Sequence, residues 1–208
     1  MKDSRIQKLS LDGVIRMKKV LMIFMALFMS VMCTACLNNF NSFAIQELNN
    51  KAKEYLNKGD MEKAISRLES NVDLDGNIFE TRYNLAVAYT QAKEYEKALA
   101  QIKVAKELNP ENADVYYLTG VAAEGKANEI IEADEDDNDE KKKLSLEDKT
   151  EIAKNFALAI ESYDTYITKN PETKEKTAIE EKMMELMNEV IKYDPTYKSQ
   201  TENTNAEN

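Results

Sequence analysis

Small and apolar residues recur in this chain with a period of thirty-four. Ala52, Ala86 and Gly120 share that spacing, as do Tyr55 and Tyr89, Met61 and Tyr95, Ala64 and Ala98, and Leu68 and Ile102. The stretch "YLNKGDMEKAISRL" lies over "YTQAKEYEKALAQI" with like on like. Small residues recur where two antiparallel helices must approach closely, and large apolar ones recur at i, i+3 and i+4 on the faces that pack. A single hairpin of this kind cannot bury both its faces, whereas stacked hairpins can. The period therefore predicts an all-α helical solenoid whose stability is a sum of neighbour contacts. With 5 Gly, 3 Pro and 32% charged residues in 208, the composition suits one such domain and flanking segments outside its core.

The central unit, residues 79–112, resembles the tetratricopeptide repeat. The likeness rests on Leu85, Ala86, Tyr89, Tyr95, Ala98, Ala105, Leu108 and Pro110, while Arg82 stands where the family usually has Trp and Lys93 where it has the turn Gly. A first unit, residues 45–78, keeps Ala52, Tyr55, Gly59, Ala64 and Leu68, with Lys51 in place of the usual Leu and Asn71 in place of Ala. Terminal repeats are often atypical. A third unit, residues 113–171, begins with Tyr116, Gly120 and Ala123, breaks register, and resumes at "FALAIESYDTYITKNP" with Ala159, Tyr163 and Pro171 in the motif's places. Gly120 and Ala159 are 39 apart where Ala52 and Ala64 are 12 apart, which puts an insertion at about residues 126–150. Ile179, Met183, Leu186, Met187, Val190 and Ile191 mark a helix over about residues 173–193 that covers the open end of the stack. The solenoid is expected over residues 43–194.

The inserted "EIIEADEDDNDEKKKLSLEDKTEI" still reads as helical on both sides. Ile130 and Ile131 continue the helix that starts near Ala113, and Ser145 with Asp148 resembles a capping box opening the next helix. This predicts a hairpin longer than its neighbours, with an acidic tip. Asp136, Asn138, Glu140 and Glu147 have the spacing of a calcium loop, but Lys141 occupies the position where such a loop needs Gly, and Lys142 and Lys143 repel the ion. The tip is read as solvated. Residues 195–208 are polar and without period, the composition of a disordered tail.

At the N-terminus "MKK" from Met17 is followed by thirteen almost unbroken apolar residues, Val20 to Met32, and then by "CTAC". A basic region, a short apolar region and a small residue before the cut are the parts of an export signal, and thirteen residues are too few to cross a bilayer core. The end of this segment resembles the lipobox of bacterial lipoproteins, with Ala35 preceding Cys36, although Cys33 stands where an aliphatic residue is usual. The resemblance implies that Cys36 is diacylated and becomes the new N-terminus. Residues 1–35 are then a signal, with 1–16 an extension upstream of a start at Met17, and residues 36–42 a short linker from a membrane anchor. The alternative is an uncleaved anchor through Leu37, eighteen residues from Val20. Leu37 is not the Asp that retains lipoproteins in the inner membrane of Gram-negative relatives. The expected location is therefore outside the cytoplasm, on the periplasmic side of an outer membrane if the cell has one.

Histidine is absent, so the commonest general base and metal ligand are missing, and the two cysteines lie in the N-terminal segment. No metal or cofactor is expected. The formal charge is -10, and because residues 1–35 hold six bases against two acids, the body beyond them is more acidic still. Such a body repels nucleic acid.

In proteins resembling this one, peptides lie in the concave groove made by the first helix of each repeat. Carried over position by position, the resemblance implies Asn49, Asn50 and Lys53 from the first unit, Tyr83, Asn84, Val87 and Thr90 from the second, and Tyr117, Val121 and Glu124 from the third. Asn50 and Asn84 fall where the family uses an amide to grip peptide backbone. Lys53 is the only base of this set, which disfavours a receptor for acidic C-terminal tails. The leading expectation is a non-catalytic, membrane-tethered scaffold for a protein or peptide in the bacterial envelope. The alternatives are a carboxylate-based cell-wall hydrolase, for which no acid pair stands in a suitably apolar setting, and a self-associating structural element.

Overall fold

A computed structural model describes residues 43–135 and 144–197. The expected signal, the anchor cysteine Cys36, the linker 36–42, the calcium-loop candidates Asp136, Asn138 and Glu140, and the tail beyond Tyr197 lie outside the described residues. The chain divides into two units, Met1–Glu47 and Leu48–Asn208. Of the first, residues 43–47 are described; they are helical, and Ile45 among them is buried.

Among the described residues there are seven helices and no strand: α1 (43–57), α2 (Met61–Leu74), α3 (Phe79–Gln91), α4 (Tyr95–Leu108), α5 (Ala113–Glu135), α6 (Leu146–Lys169) and α7 (Lys176–Tyr193). From α2 onward each helix packs on its neighbour in sequence, and α3 also meets α5. That last contact joins the first helices of successive hairpins, as a solenoid requires. The thirty-four-residue pattern explains the packing directly. Ala52, Ala64, Ala86 and Ala98, the small residues of the period, are all fully buried. Leu68 and Ile102, its large residues, sit in the same N-terminal core as Leu85 and Val115. A second core gathers Ile152, Phe156 and Tyr163 of α6 with Ile179, Leu186 and Val190 of α7.

Departures from the repeat pattern have local causes. Asn71, fully buried where the motif has Ala, donates from Nδ2 to Asn49 Oδ1 at 3.1 Å, and Asn49 Nδ2 donates to Thr81 Oγ1 at 3.1 Å. A buried amide is tolerated because its partners are buried beside it. Arg82, in place of Trp, donates from Nε to the Gly76 carbonyl at 2.8 Å and from Nη1 to Gln101 Oε1 at 2.7 Å, tying α3 to α4 and to the preceding turn.

The insertion lengthens both helices of the third hairpin. α5 has 23 residues and α6 has 24, against 13 and 14 for α3 and α4. Ile130 and Ile131 continue α5, and Ser145 opens α6 with a complete capping box. Its Oγ accepts from Asp148 N at 3.0 Å, and Asp148 Oδ2 accepts from Ser145 N at 3.0 Å. Glu147 of the calcium-loop spacing lies in the first turn of α6. α7 packs on α6. The described chain runs on to Tyr197, which packs half-buried against the second core, so packed structure extends three residues past the expected end of the solenoid. No described helix is long and apolar enough to cross a membrane.

Candidate binding groove

The first helices of the hairpins bring part of the expected set together. Thr90 at the end of α3 and Tyr117, Val121 and Glu124 of α5 line one cavity of about 520 Å³, open to solvent. On α5 these last three are separated by four and then three residues, which places them on one face of the helix. The other six expected residues do not line it. Asn50 and Lys53 are exposed on α1, Tyr83 and Val87 are half-buried and pack against the N-terminal core, and Asn84 is buried in α3. Asn49 is 9% exposed and its amide is engaged by Thr81 and Asn71, so it holds helices together and is not presented on a surface. Asn84 Nδ2 is shielded from solvent and has no hydrogen-bond partner among the described residues.

The rest of the lining comes from elements whose contribution the repeat pattern does not announce. It includes Tyr163 of α6, Ile179 and Lys182 of α7, Glu175 beside the start of α7, and Tyr95 with Gly125. Lys182 supplies a base that the expected set does not contain. Its Nζ donates to Glu124 Oε1 at 3.2 Å, and the Tyr163 hydroxyl donates to Glu124 Oε2 at 3.2 Å. The Glu124 carboxylate holds the Lys182 ammonium above its ordinary pKa, and burial followed by Glu124 pushes the Tyr163 phenol well up. Burial likewise raises Tyr83, with Asp114 and Tyr166 adding to it. Sequence carried one signal for Lys182: it lies three residues after the buried Ile179, hence on the same side of α7.

Gly120 and Gly125 let the walls close. A Cβ on Gly120 would lie 2.4 Å from the Tyr163 ring, and one on Gly125 would lie 2.2 Å from the Tyr95 ring. Tyr117 stands against Tyr163 and Tyr166, with ring centroids 5.7 and 5.2 Å away, yet remains 42% exposed. A ring fixed on one side and open on the other gives contact area at little entropic cost. Tyr89, expected as a packing residue, is buried and donates to Glu69. Tyr95, expected likewise, packs on Gly125 and also faces the cavity.

Residues 55–121 match the tetratricopeptide repeat family. Comparison with curated proteins gives no significant match. Among solved structures, the chain is similar to the first tetratricopeptide domain of human RPAP3, with 17% identity and a TM-score of 0.53 over 74% of this chain and 97% of that one. It is also similar to the first such domain of Spaghetti (RPAP3) bound to an HSP90 peptide, at 17% identity and a TM-score of 0.52 over 69% and 90% of the two chains. The second domain of human RPAP3, in complex with an HSP70 peptide, gives 15% identity and a TM-score of 0.51 over 71% and 98%. At these identities the likeness is one of fold. The chain has the all-α fold of a tetratricopeptide helical solenoid, with residues 55–121 carrying the family's repeat.

Proposed function

We propose that this protein is a non-catalytic scaffold that holds a peptide segment of a partner protein in the groove between α3, α5 and α7. The observation that carries the reading is the convergence of Thr90, Tyr117, Val121 and Glu124 on one open cavity. The similar domains bound to peptides support it. The groove presents phenols, an ion pair and small side chains, a set suited to recognition by contact.

The body acts from a membrane surface. Cys36, lipidated after removal of the signal, tethers it through the linker 36–42, and seven residues reach at most ~25 Å. The groove then works close to the bilayer, in assembly or maintenance of the bacterial envelope and on the periplasmic side of an outer membrane where the cell has one. Metabolic labelling with a fatty acid, lost in Cys36→Ser, tests the tether.

The groove is tested by selecting peptides from a random library on the full-length chain and measuring their affinity for the Tyr117→Ala and Val121→Asp variants. The expected result is loss of binding of about tenfold or more at a temperature where circular dichroism shows both variants still folded. Selected peptides indifferent to both substitutions would contradict the assignment.

A further inference from the structure

The chemistry around Glu124 narrows what the groove accepts, on the premise that the groove is the binding surface. Two carboxylates, Glu124 and Glu175, line the cavity with one ammonium, Lys182. Glu124 is only 21% exposed and is already the acceptor of a cation: Lys182, from another helix, holds it at 3.2 Å. That ammonium is not locked in place. Its side chain is 43% exposed, and Glu185, one turn further along α7, lies 3.7 Å from the same Nζ. When another cation reaches Glu124, Lys182 therefore keeps a carboxylate on its own helix, and its displacement costs little. Glu124 has no such alternative on α5, and its second oxygen is held by the Tyr163 hydroxyl.

The aromatic surface points the same way. Lysines already lie over tyrosine faces elsewhere in this fold: Lys97 over Tyr89 at 5.4 Å, and Lys106 and Lys169 over Tyr116 at 4.7 and 5.5 Å. Tyr117 is more exposed than these rings and has no cation over it among the described residues. A ring face beside a carboxylate is a favourable seat for a lysine or arginine side chain. We infer that the groove takes a basic peptide segment, with one cationic side chain replacing Lys182 on Glu124 and its stem lying on Tyr117.

Fluorescence anisotropy with the full-length chain tests this, using three labelled nine-residue peptides that alternate leucine with lysine, with glutamate or with serine. The lysine peptide is expected to bind about tenfold tighter than either other peptide. Glu124→Gln is expected to weaken it about tenfold, and Lys182→Ala to tighten it about threefold, a gain that misfolding does not produce. Glu62→Gln on α2, the same change of charge away from the groove, should leave it unaltered. Equal losses in Glu62→Gln and Glu124→Gln would mean that overall charge governs binding, and would overturn the inference. So would preferred binding of the glutamate peptide with loss in Lys182→Ala, an outcome that leaves the groove standing as a binding site for the opposite charge. Binding of all three peptides unaffected by Tyr117→Ala would remove the groove itself, and the inference with it.

Discussion

Gly59 and Lys93, one period apart, hold the same left-handed backbone, with φ of 76° and 60°. Each ends the tight turn between the two helices of a hairpin, and only the first has the side chain suited to it. In the third hairpin the equivalent position is Ala127, fully buried within the continuous helix α5. The repeat thus keeps its turn geometry through one unfavourable residue and abandons it only where the hairpin is extended.

Lys93 in that conformation costs about 1 kcal/mol relative to glycine. Lys93→Gly should therefore raise stability by up to about 1 kcal/mol, offset in part by the freer unfolded chain, whereas Gly59→Ala should lower it by a similar amount. Chemical denaturation of the three proteins checks the opposite signs.

Gly125 accommodates the Tyr95 ring, since a Cβ there would come within 2.2 Å of it. Gly125→Ala should destabilise by about 1–3 kcal/mol as the ring is forced aside. Combined with Tyr95→Ala it should cost less than the sum of the single changes, because the clash is gone. Additive losses in the double-mutant cycle would show that the two residues do not press on each other.

The buried pair Asn71 and Asn49 predicts an asymmetry. Asn71→Ala restores the residue the repeat prefers at that position, yet removes a partner of a buried amide, which costs about 1–3 kcal/mol. Thr81→Val, which withdraws the other partner at 3.1 Å, should destabilise as well. Denaturant midpoints at or above wild type for Asn71→Ala would contradict the network.

Stability should fall steeply in alkali. Burial, then Glu124, raises the Tyr163 phenol, and burial, then Glu69, raises Tyr89. The folded chain holds these protons more tightly than the unfolded one. Their contribution is whole below the ordinary phenol value of about 10 and is lost as pH rises beyond it. Melting temperatures should drop more steeply above about pH 10 in wild type than in the Tyr89→Phe/Tyr163→Phe variant. Parallel curves would contradict the assignment.

The helices were legible because their small and large residues repeat: Ala52 and Ala86, Leu68 and Ile102 announce both the hairpins and the faces they bury. Ser145 and Asp148 were legible as a cap because that signal is local. The groove was legible only in part. The period places Thr90, Tyr117, Val121 and Glu124 on corresponding helices, but a period does not say which way a partly polar side chain turns. Asn49 turned inward because Asn71, itself a departure from the repeat, gave its amide a buried partner. Lys182 and Tyr163 reach Glu124 across 58 and 39 residues of sequence, a relation fixed by how α6 and α7 pack on α5 and by no local pattern.

The most direct test of the groove is a nuclear magnetic resonance titration of the full-length chain with a peptide selected on it. The largest shifts are expected on Thr90, Tyr117, Val121, Glu124 and Lys182. Shifts confined instead to Leu99, Lys103 and Leu158, which line a separate cavity on α4 and α6, would place the binding surface elsewhere and contradict the groove assignment.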